Sequence, residues 1–160
     1  MKVVGGAGPR TDAGRADFIE TGTTDMATIL AHIQIKPGKE GRFEELQGSL
    51  WRTTHATEPR TTRYEFFRGE KEGAYYGLLS FEDFQAFLVH QSSDAHEDFG
   101  AEFAGIVQDI RIEWIDAVAG ANALAPNAPQ DAPAGASDLQ RQYAKSYAIR
   151  MADWWNALRN

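Results

Sequence analysis

Two histidines, His90 and His96, stand close together directly after an aromatic, strand-like run that ends at Phe81. An imidazole exchanges its proton near neutral pH, so a histidine at the edge of an aromatic pocket can take a proton from a bound ligand. His90 is therefore the candidate catalytic residue. The structural alternative is that His90 ends a helix, where its ring interacts favourably with the helix dipole and with free carbonyl groups.

The segment that carries both histidines is predicted to be a broken helix. Its first part ends near His90, the break runs through residues 91–92, and Ser93 is the predicted N-cap of the second part. His96 then lies in the first turn of the second part, on the same side as Phe99. It either faces a pocket or pairs with acidic neighbours at the surface.

Other kinds of site find little support in the sequence. The chain contains no cysteine, which excludes thiolate catalysis, thiolate metal sites and disulfides. A metal site built on His90 and His96 lacks a convincing third ligand. There is no glycine-rich phosphate loop and no nucleophile motif. We therefore expect neither a metal nor another cofactor.

Length and composition are typical of one folded domain with extensions. The chain has 160 residues, of which 42% are hydrophobic and 11% aromatic. Its net charge of -7 argues against nucleic acid as a partner, because phosphates would be repelled. No apolar run is long enough to span a bilayer, and the N-terminus lacks the apolar region of a secretory signal. We expect a cytoplasmic protein.

The periodicity of apolar residues changes along the chain between that of strands and that of helices. This pattern predicts strand 27–36, helix 39–55, strands 61–68 and 74–81 joined as a hairpin, the broken helix, and strand 109–118. The order β-α-β-β-α-β predicts an α+β fold of the ferredoxin-like kind, with an antiparallel sheet.

Both helices of such a fold cover the same face of the sheet, so the strands predict two different faces. The apolar rows, expected to face the helices, contain Ile29, Ile33, Ile35, Tyr64, Phe66, Ile110, Ile112 and Trp114. The opposite rows mix charged and large apolar groups: His32, Gln34, Arg63, Glu65, Phe67, Arg111, Glu113 and Ile115. The mixed face suits a second sheet better than water. We therefore expect a homodimer that closes two sheets into an α/β barrel.

Aromatic side chains on the strands are usually core residues, but they would also be the walls of any cavity between sheet and helices. Such walls suit a flat, apolar ligand with one or two polar groups, that is, a small aromatic molecule. The candidate substrate-binding residues are Tyr64, Phe66, Phe81, His96, Phe99 and Trp114.

The two ends of the chain differ from the central domain, which is expected over 27–118. Residues 1–26 are predicted to be flexible, and Met26 is an alternative translation start. Residues 119–137 form an Ala/Pro-rich linker. Residues 138–160 are predicted as one amphipathic helix, with a capping box at Ser137 and Gln140. Because an amphipathic helix of this kind is not stable alone in water, we expect it to dock on its own subunit or on the dimer mate. The alternative is a membrane surface.

Several short motifs resemble those of the antibiotic biosynthesis monooxygenase superfamily. They are Ile33-Gln-Ile-Lys-Pro-Gly38, Phe43-Glu-Glu-Leu46, Glu58-Pro59, Tyr64-Glu-Phe-Phe-Arg68 and Ala86-Phe-Leu-Val-His90. The resemblance covers residues 27–118. It implies a dimeric α+β barrel with a pocket between the sheet and helices of each subunit. Family members include oxygenases that act on polycyclic phenols or quinols without metal or flavin, haem-degrading enzymes, an isomerase, and proteins without an assigned activity.

The chain also departs from the family pattern. Arg60 replaces the usual glycine after Glu-Pro, Phe81 replaces a tryptophan, and the second histidine of the His-x-x-Ser pattern is shifted to His96. Gly100 occupies the position of the haem ligand in the haem-degrading branch, so such ligation is not expected. Two functions remain open. One is a cofactor-independent monooxygenase for an aromatic phenol or quinol. The other is a non-catalytic, ligand-binding or structural dimer that uses its C-terminal helix for assembly.

Overall fold

The strands form where apolar and polar side chains alternate, and the helices form where apolar residues recur every three or four positions. The computed structural model describes residues 26–159; the predicted flexible segment before Met26 lies outside them. Its elements are β1 Ala27–Ile35, α1 Glu40–Thr57, β2 Thr61–Arg68, β3 Ala74–Phe81, α2 Phe84–Gln91, α3 Asp94–Ile106, β4 Val107–Trp114, α4 Asp138–Ser146 and α5 Asp153–Leu158.

The four strands form one antiparallel sheet in the order β2-β3-β1-β4. The predicted α+β, ferredoxin-like fold is thereby confirmed. Strand β4 begins and ends earlier than the predicted range 109–118. At its start, β4 follows α3 without a loop. After Ile115 the chain leaves the sheet, and the side chain of Asp116 accepts a hydrogen bond from the backbone N–H of Asn127.

The division of the sheet into two faces follows the predicted rows. Tyr64 pairs with Leu79 and Phe66 with Gly77 on the face that the helices cover. Gly77 is needed there, because a Cβ at this position would lie 2.8 Å from the ring of Phe66. The missing side chain lets the Phe66 ring lie against the sheet.

The predicted break in the second helix is confirmed. Helix α2 ends at Gln91 and α3 begins at Asp94, with Ser93 as its N-cap. The Ser93 hydroxyl accepts a hydrogen bond from the backbone N–H of His96 at 3.3 Å and donates one to the carbonyl of His90 at 2.9 Å. One side chain therefore connects the two helix ends and fixes both histidines relative to each other.

The segment that follows β4, predicted as an Ala/Pro-rich linker over 119–137, is hydrogen-bonded to the end of the sheet. The side chain of Asn127 is buried; its Oδ1 accepts a hydrogen bond from the backbone N–H of Thr28 at 2.7 Å, and its Nδ2 donates to the carbonyl of Ile115 at 2.9 Å. An amide that both donates and accepts can satisfy the backbone groups at the end of the sheet. A segment whose one large apolar residue is Leu124 is thus anchored by hydrogen bonds.

The C-terminal segment also differs from the prediction, because α4 and α5 replace the single helix expected over 138–160. The capping box of Ser137 and Gln140 is present. Between the two helices the chain is irregular, the carbonyl of Ala148 accepts a hydrogen bond from Trp114 Nε1 at 3.1 Å, and Ile149 is buried in the core. In a continuous helix the Ala148 carbonyl and the Ile149 side chain would point in other directions, so these contacts require the interruption. In residues 26–159, no helix combines the length and apolar character that crossing a membrane would need.

Candidate functional site

A cavity of about 520 Å³ lies between the inner face of the sheet and the helices. Its floor is apolar and nearly flat, because it consists of side chains from one face of adjacent strands. These side chains are Ile29, Ala31, Ile33, Leu79, Ile110 and Ile112. Although Ile110 and Ile112 belong to this inner face, they are 43% and 39% exposed, so the cavity is open to solvent beside β4. Its size and shape suit a flat organic molecule.

Polar groups enter the cavity from its helical walls. Gln47 of α1 donates a long hydrogen bond of 3.4 Å to the hydroxyl of Tyr64, and both residues line the cavity. Burial raises the pKa of Tyr64, which keeps its phenol neutral. Gln91 and His96 line the cavity from α2 and α3. A ligand in this space would therefore meet these neutral polar groups, and the carboxylate of Glu97, along an otherwise apolar surface.

His90 lies behind this wall rather than on it, with an exposed fraction of 1%. Its Nδ1 is 2.8 Å from Oε2 of Glu58, which also accepts a hydrogen bond from the hydroxyl of Thr61 at 3.3 Å. An ionised carboxylate only accepts hydrogen bonds, so we assign the proton to Nδ1 of His90. In the neutral ring Nε2 is then free to accept a proton, and among the described residues it has no hydrogen-bond partner.

His96 separates His90 from the cavity. The ring centroids of the two histidines are 4.9 Å apart in an edge-to-face arrangement, and the Tyr64 ring lies at the same distance from His90. Burial, together with the neighbouring His90, lowers the pKa of His96 from its usual 6.5 to about 4, although the carboxylate of Glu58 opposes this decrease. His96 is therefore a neutral imidazole at physiological pH, able to accept a hydrogen bond from a ligand hydroxyl.

The predicted substrate-binding residues fall into two groups. Tyr64, Phe66, His96 and Phe99 line the cavity. Phe81 and Trp114 lie outside it, although both stand on the inner face of the sheet. Helix α2 covers that end of the sheet, so Phe81 packs against Phe87 and His90, and Trp114 packs against Phe84 and Phe87.

Sequence reasoning did not assign several polar and aromatic residues to the site, among them Glu58, Gln47, Gln91, Tyr143 and Tyr147. Glu58 carried a detectable signal, because it is the C-cap of α1 and the helix dipole disfavours a negative charge there. A carboxylate in that place indicates a partner elsewhere in the fold. Tyr143 and Tyr147 fall within the predicted amphipathic helix, but helical spacing alone does not identify the surface that its apolar side contacts.

Residues 26–159 contain no cluster of three His, Asp or Glu side chains that could hold a metal ion.

The chain matches the family model of the antibiotic biosynthesis monooxygenases over residues 26–102. This range contains β1 to β3, α2 and most of α3, and thus both histidines and Glu58. Residues 26–102 therefore belong to the antibiotic biosynthesis monooxygenase superfamily, as the motifs indicated. A search of curated protein sequences gives no match.

Solved structures with the same fold come from several bacteria. A protein from Caulobacter crescentus, described as a candidate antibiotic biosynthesis monooxygenase, is 26% identical with a TM-score of 0.57; the match covers 60% of this chain and 92% of that one. A protein of the same description from Bacteroides thetaiotaomicron is 16% identical with a TM-score of 0.58, covering 64% and 97%. A protein from Pseudomonas aeruginosa is 18% identical with a TM-score of 0.56, covering 61% and 98%. The last two likenesses concern the fold alone.

The lowered pKa of His96 makes stability depend on pH. Between about pH 4 and 6.5 the unfolded chain binds a proton at His96 that the folded protein does not bind. The contribution of His96 to the free energy of unfolding is therefore complete above pH 6.5 and decreases as the pH falls towards 4. We expect the C2 proton of His96 to titrate with a midpoint of about 4 by NMR. His96→Gln should flatten the pH dependence of urea unfolding in this range. A midpoint near 6.5 would contradict the assigned burial.

Proposed function

We propose that the protein is a monooxygenase that oxidises an aromatic phenol or quinol in the cavity between sheet and helices, without a metal or flavin. The observation that carries the proposal is the buried Glu58–His90 hydrogen bond of 2.8 Å, placed directly behind a cavity-lining histidine. A carboxylate that holds a histidine in one tautomer is the usual arrangement of a general base. Membership of residues 26–102 in the monooxygenase superfamily supports the same reaction class.

The base would act on the most acidic proton of the substrate. His96 contacts the substrate, and His90 is the base behind it. The separation of 4.9 Å between the two rings is short enough for rotation of the His96 ring to bring one of its nitrogens to His90 Nε2. A proton can then pass from substrate to His96 and on to His90, while the Glu58 carboxylate stabilises the resulting imidazolium.

Removal of the proton makes the aromatic ring electron-rich enough to reduce dioxygen directly. For anthrone, the methylene carbon loses two hydrogens, one atom of O₂ becomes the new carbonyl oxygen of anthraquinone, and the other leaves as water. Substrate and O₂ supply all atoms and electrons of this reaction. The part of the protein is to bind the flat ring, to move the proton and to keep bulk water away from the anion.

A second candidate function is non-catalytic binding of a small aromatic molecule. It is favoured by the complete enclosure of His90, which in its present position touches no ligand space and also stands in the last turn of α2. In that case the Glu58–His90 pair is structural, joining two helix ends.

Oxygen uptake distinguishes the two functions. With purified protein and a panel of anthrones and hydroquinones, we expect uptake to be at least about a hundredfold slower in His90→Ala, as for loss of a general base. His55→Ala, which removes an exposed histidine from α1, should leave uptake unchanged. Normal uptake in a folded His90→Ala protein would remove His90 from the reaction. The binding function would be favoured by two results together. The wild type would bind ligand saturably without oxygen uptake, and His90→Ala would be less stable to heat than the wild type.

We also propose that two copies pair through the uncovered face of the sheet. This face exposes 52% of Phe67 and most of its charged groups lie in pairs, among them His32–Glu113 at 3.0 Å and Arg63–Glu65 at 3.8 Å. Hydrogen bonds from His32 and Arg111 lower the pKa of Glu113, so this carboxylate stays charged. A face with exposed apolar groups among charges of both signs favours a partner surface that offers apolar groups and opposite charges. The same face of a second copy supplies both.

Reversal of one charge on this face tests the dimer. Glu113→Lys places a like charge beside Arg111 and removes the hydrogen-bond partner of His32, and should convert the dimer to monomer at micromolar concentration in sedimentation velocity. Glu70→Lys makes the same charge change in the exposed loop between β2 and β3 and should leave the dimer intact. A wild-type protein that sediments only as a folded monomer would refute the proposed pairing.

A further inference from the structure

Part of the cavity wall comes from outside the family domain. The family match ends at residue 102, whereas Tyr143 and Tyr147 of the C-terminal segment line the cavity together with Gly100 and Ala101 of α3. Both α3 residues at this place have very small side chains. The large surface on this side of the cavity is therefore supplied by the two tyrosines.

The two tyrosines stand one helical turn apart and are held by contacts with the family domain. The Tyr147 ring packs edge-to-face on Phe87 with centroids 5.7 Å apart, and the two tyrosine rings are 5.8 Å from each other. The Tyr143 hydroxyl donates a hydrogen bond to the carboxylate of Glu97 in α3, which raises the pKa of Tyr143 to about 12. Both rings thus have a defined orientation beside the cavity.

The chain that follows α4 fixes its position. After α4, Trp114 Nε1 donates to the carbonyl of Ala148 at 3.1 Å, and Ile149 is buried among Phe84, Phe87 and Leu88. Further along, Arg159 Nε donates to Asp116 Oδ2 at 2.7 Å. These bonds link the end of β4 to the irregular stretch after α4 and to the residue that follows α5. The tyrosine wall is therefore a built part of the subunit and not the loose end of a chain.

We infer that Tyr143 and Tyr147 are specificity-determining residues, which form an aromatic wall against a ligand that extends beyond His96 and Tyr64. The ligand class rests on the proposed function, but the role of the wall does not require turnover. A one-ring phenol bound at His96 and Tyr64 need not reach the wall. A ligand with fused rings extends along the flat floor and packs against it.

Equilibrium binding under anaerobic conditions tests this role without turnover, with anthrone and phenol as the two probes. Loss of one aromatic contact should weaken anthrone binding about three- to tenfold in Tyr147→Ala, with less than a twofold change for phenol. Trp154→Ala removes an even larger aromatic side chain from exposed α5 of the same segment and should change neither affinity. Equal affinities of wild type and Tyr147→Ala for anthrone would overturn the inference, as would a failure of the wild type to bind anthrone.

A second measurement uses the unchanged protein and so does not depend on the folding of a variant. Anthrone added to the wild type should shift the ring proton resonances of Tyr143 and Tyr147 as well as those of Phe66 and His96. Shifts confined to Phe66 and His96 would overturn the inference. If the binding pattern is as expected but no oxygen is consumed in air, the tyrosine wall is supported and the oxygenase proposal fails.

Discussion

The hydrogen bond between Glu58 and His90 is the interaction on which the arrangement of the site depends. It joins the C-cap of α1 to the last turn of α2 across 2.8 Å, in a place where His90 is shielded from water almost completely. A carboxylate buried beside a helix C-terminus is unfavourable without such a partner, and a buried imidazole with both nitrogens unpaired is equally unfavourable. The hydrogen bond thus offsets the cost of burying each group, and it holds the two helix ends together.

The position of His96 follows from that of His90. Because Ser93 bonds both to the carbonyl of His90 and to the N–H of His96, the second helix begins at a fixed angle to the first. This break turns one histidine into the interior and leaves the next on the cavity wall. The unpartnered Nε2 of His90 is a cost in stability that a catalytic role would explain. A purely structural Glu58–His90 pair would not require an unpartnered Nε2.

Local patterns predicted much of the fold. The bounds of β2 and β3, the break at Ser93 and the two faces of the sheet all depend on residues near one another in sequence. What could not be predicted depends on distant contacts. Glu58 and His90 are brought together only by the packing of α1 against the sheet and α2. Phe81 and Trp114 lie outside the cavity because α2 covers them, and the interruption after α4 follows from the burial of Ile149. The anchoring of the linker by Asn127 was equally invisible in its composition, since one amide among small residues carries no periodic signal.

The central claim is that Glu58 orients His90 so that Nε2 is the free basic nitrogen beside the cavity. Long-range ¹H–¹⁵N correlation spectra of the histidine rings at pH 8 test it most directly, since they distinguish protonated from unprotonated ring nitrogens. We predict that Nδ1 of His90 carries the proton, that Nε2 has the shift of an unprotonated nitrogen, and that this preference is lost in Glu58→Ala. A proton on Nε2 in the wild type, or a spectrum of His90 that is the same with and without Glu58, would contradict the account.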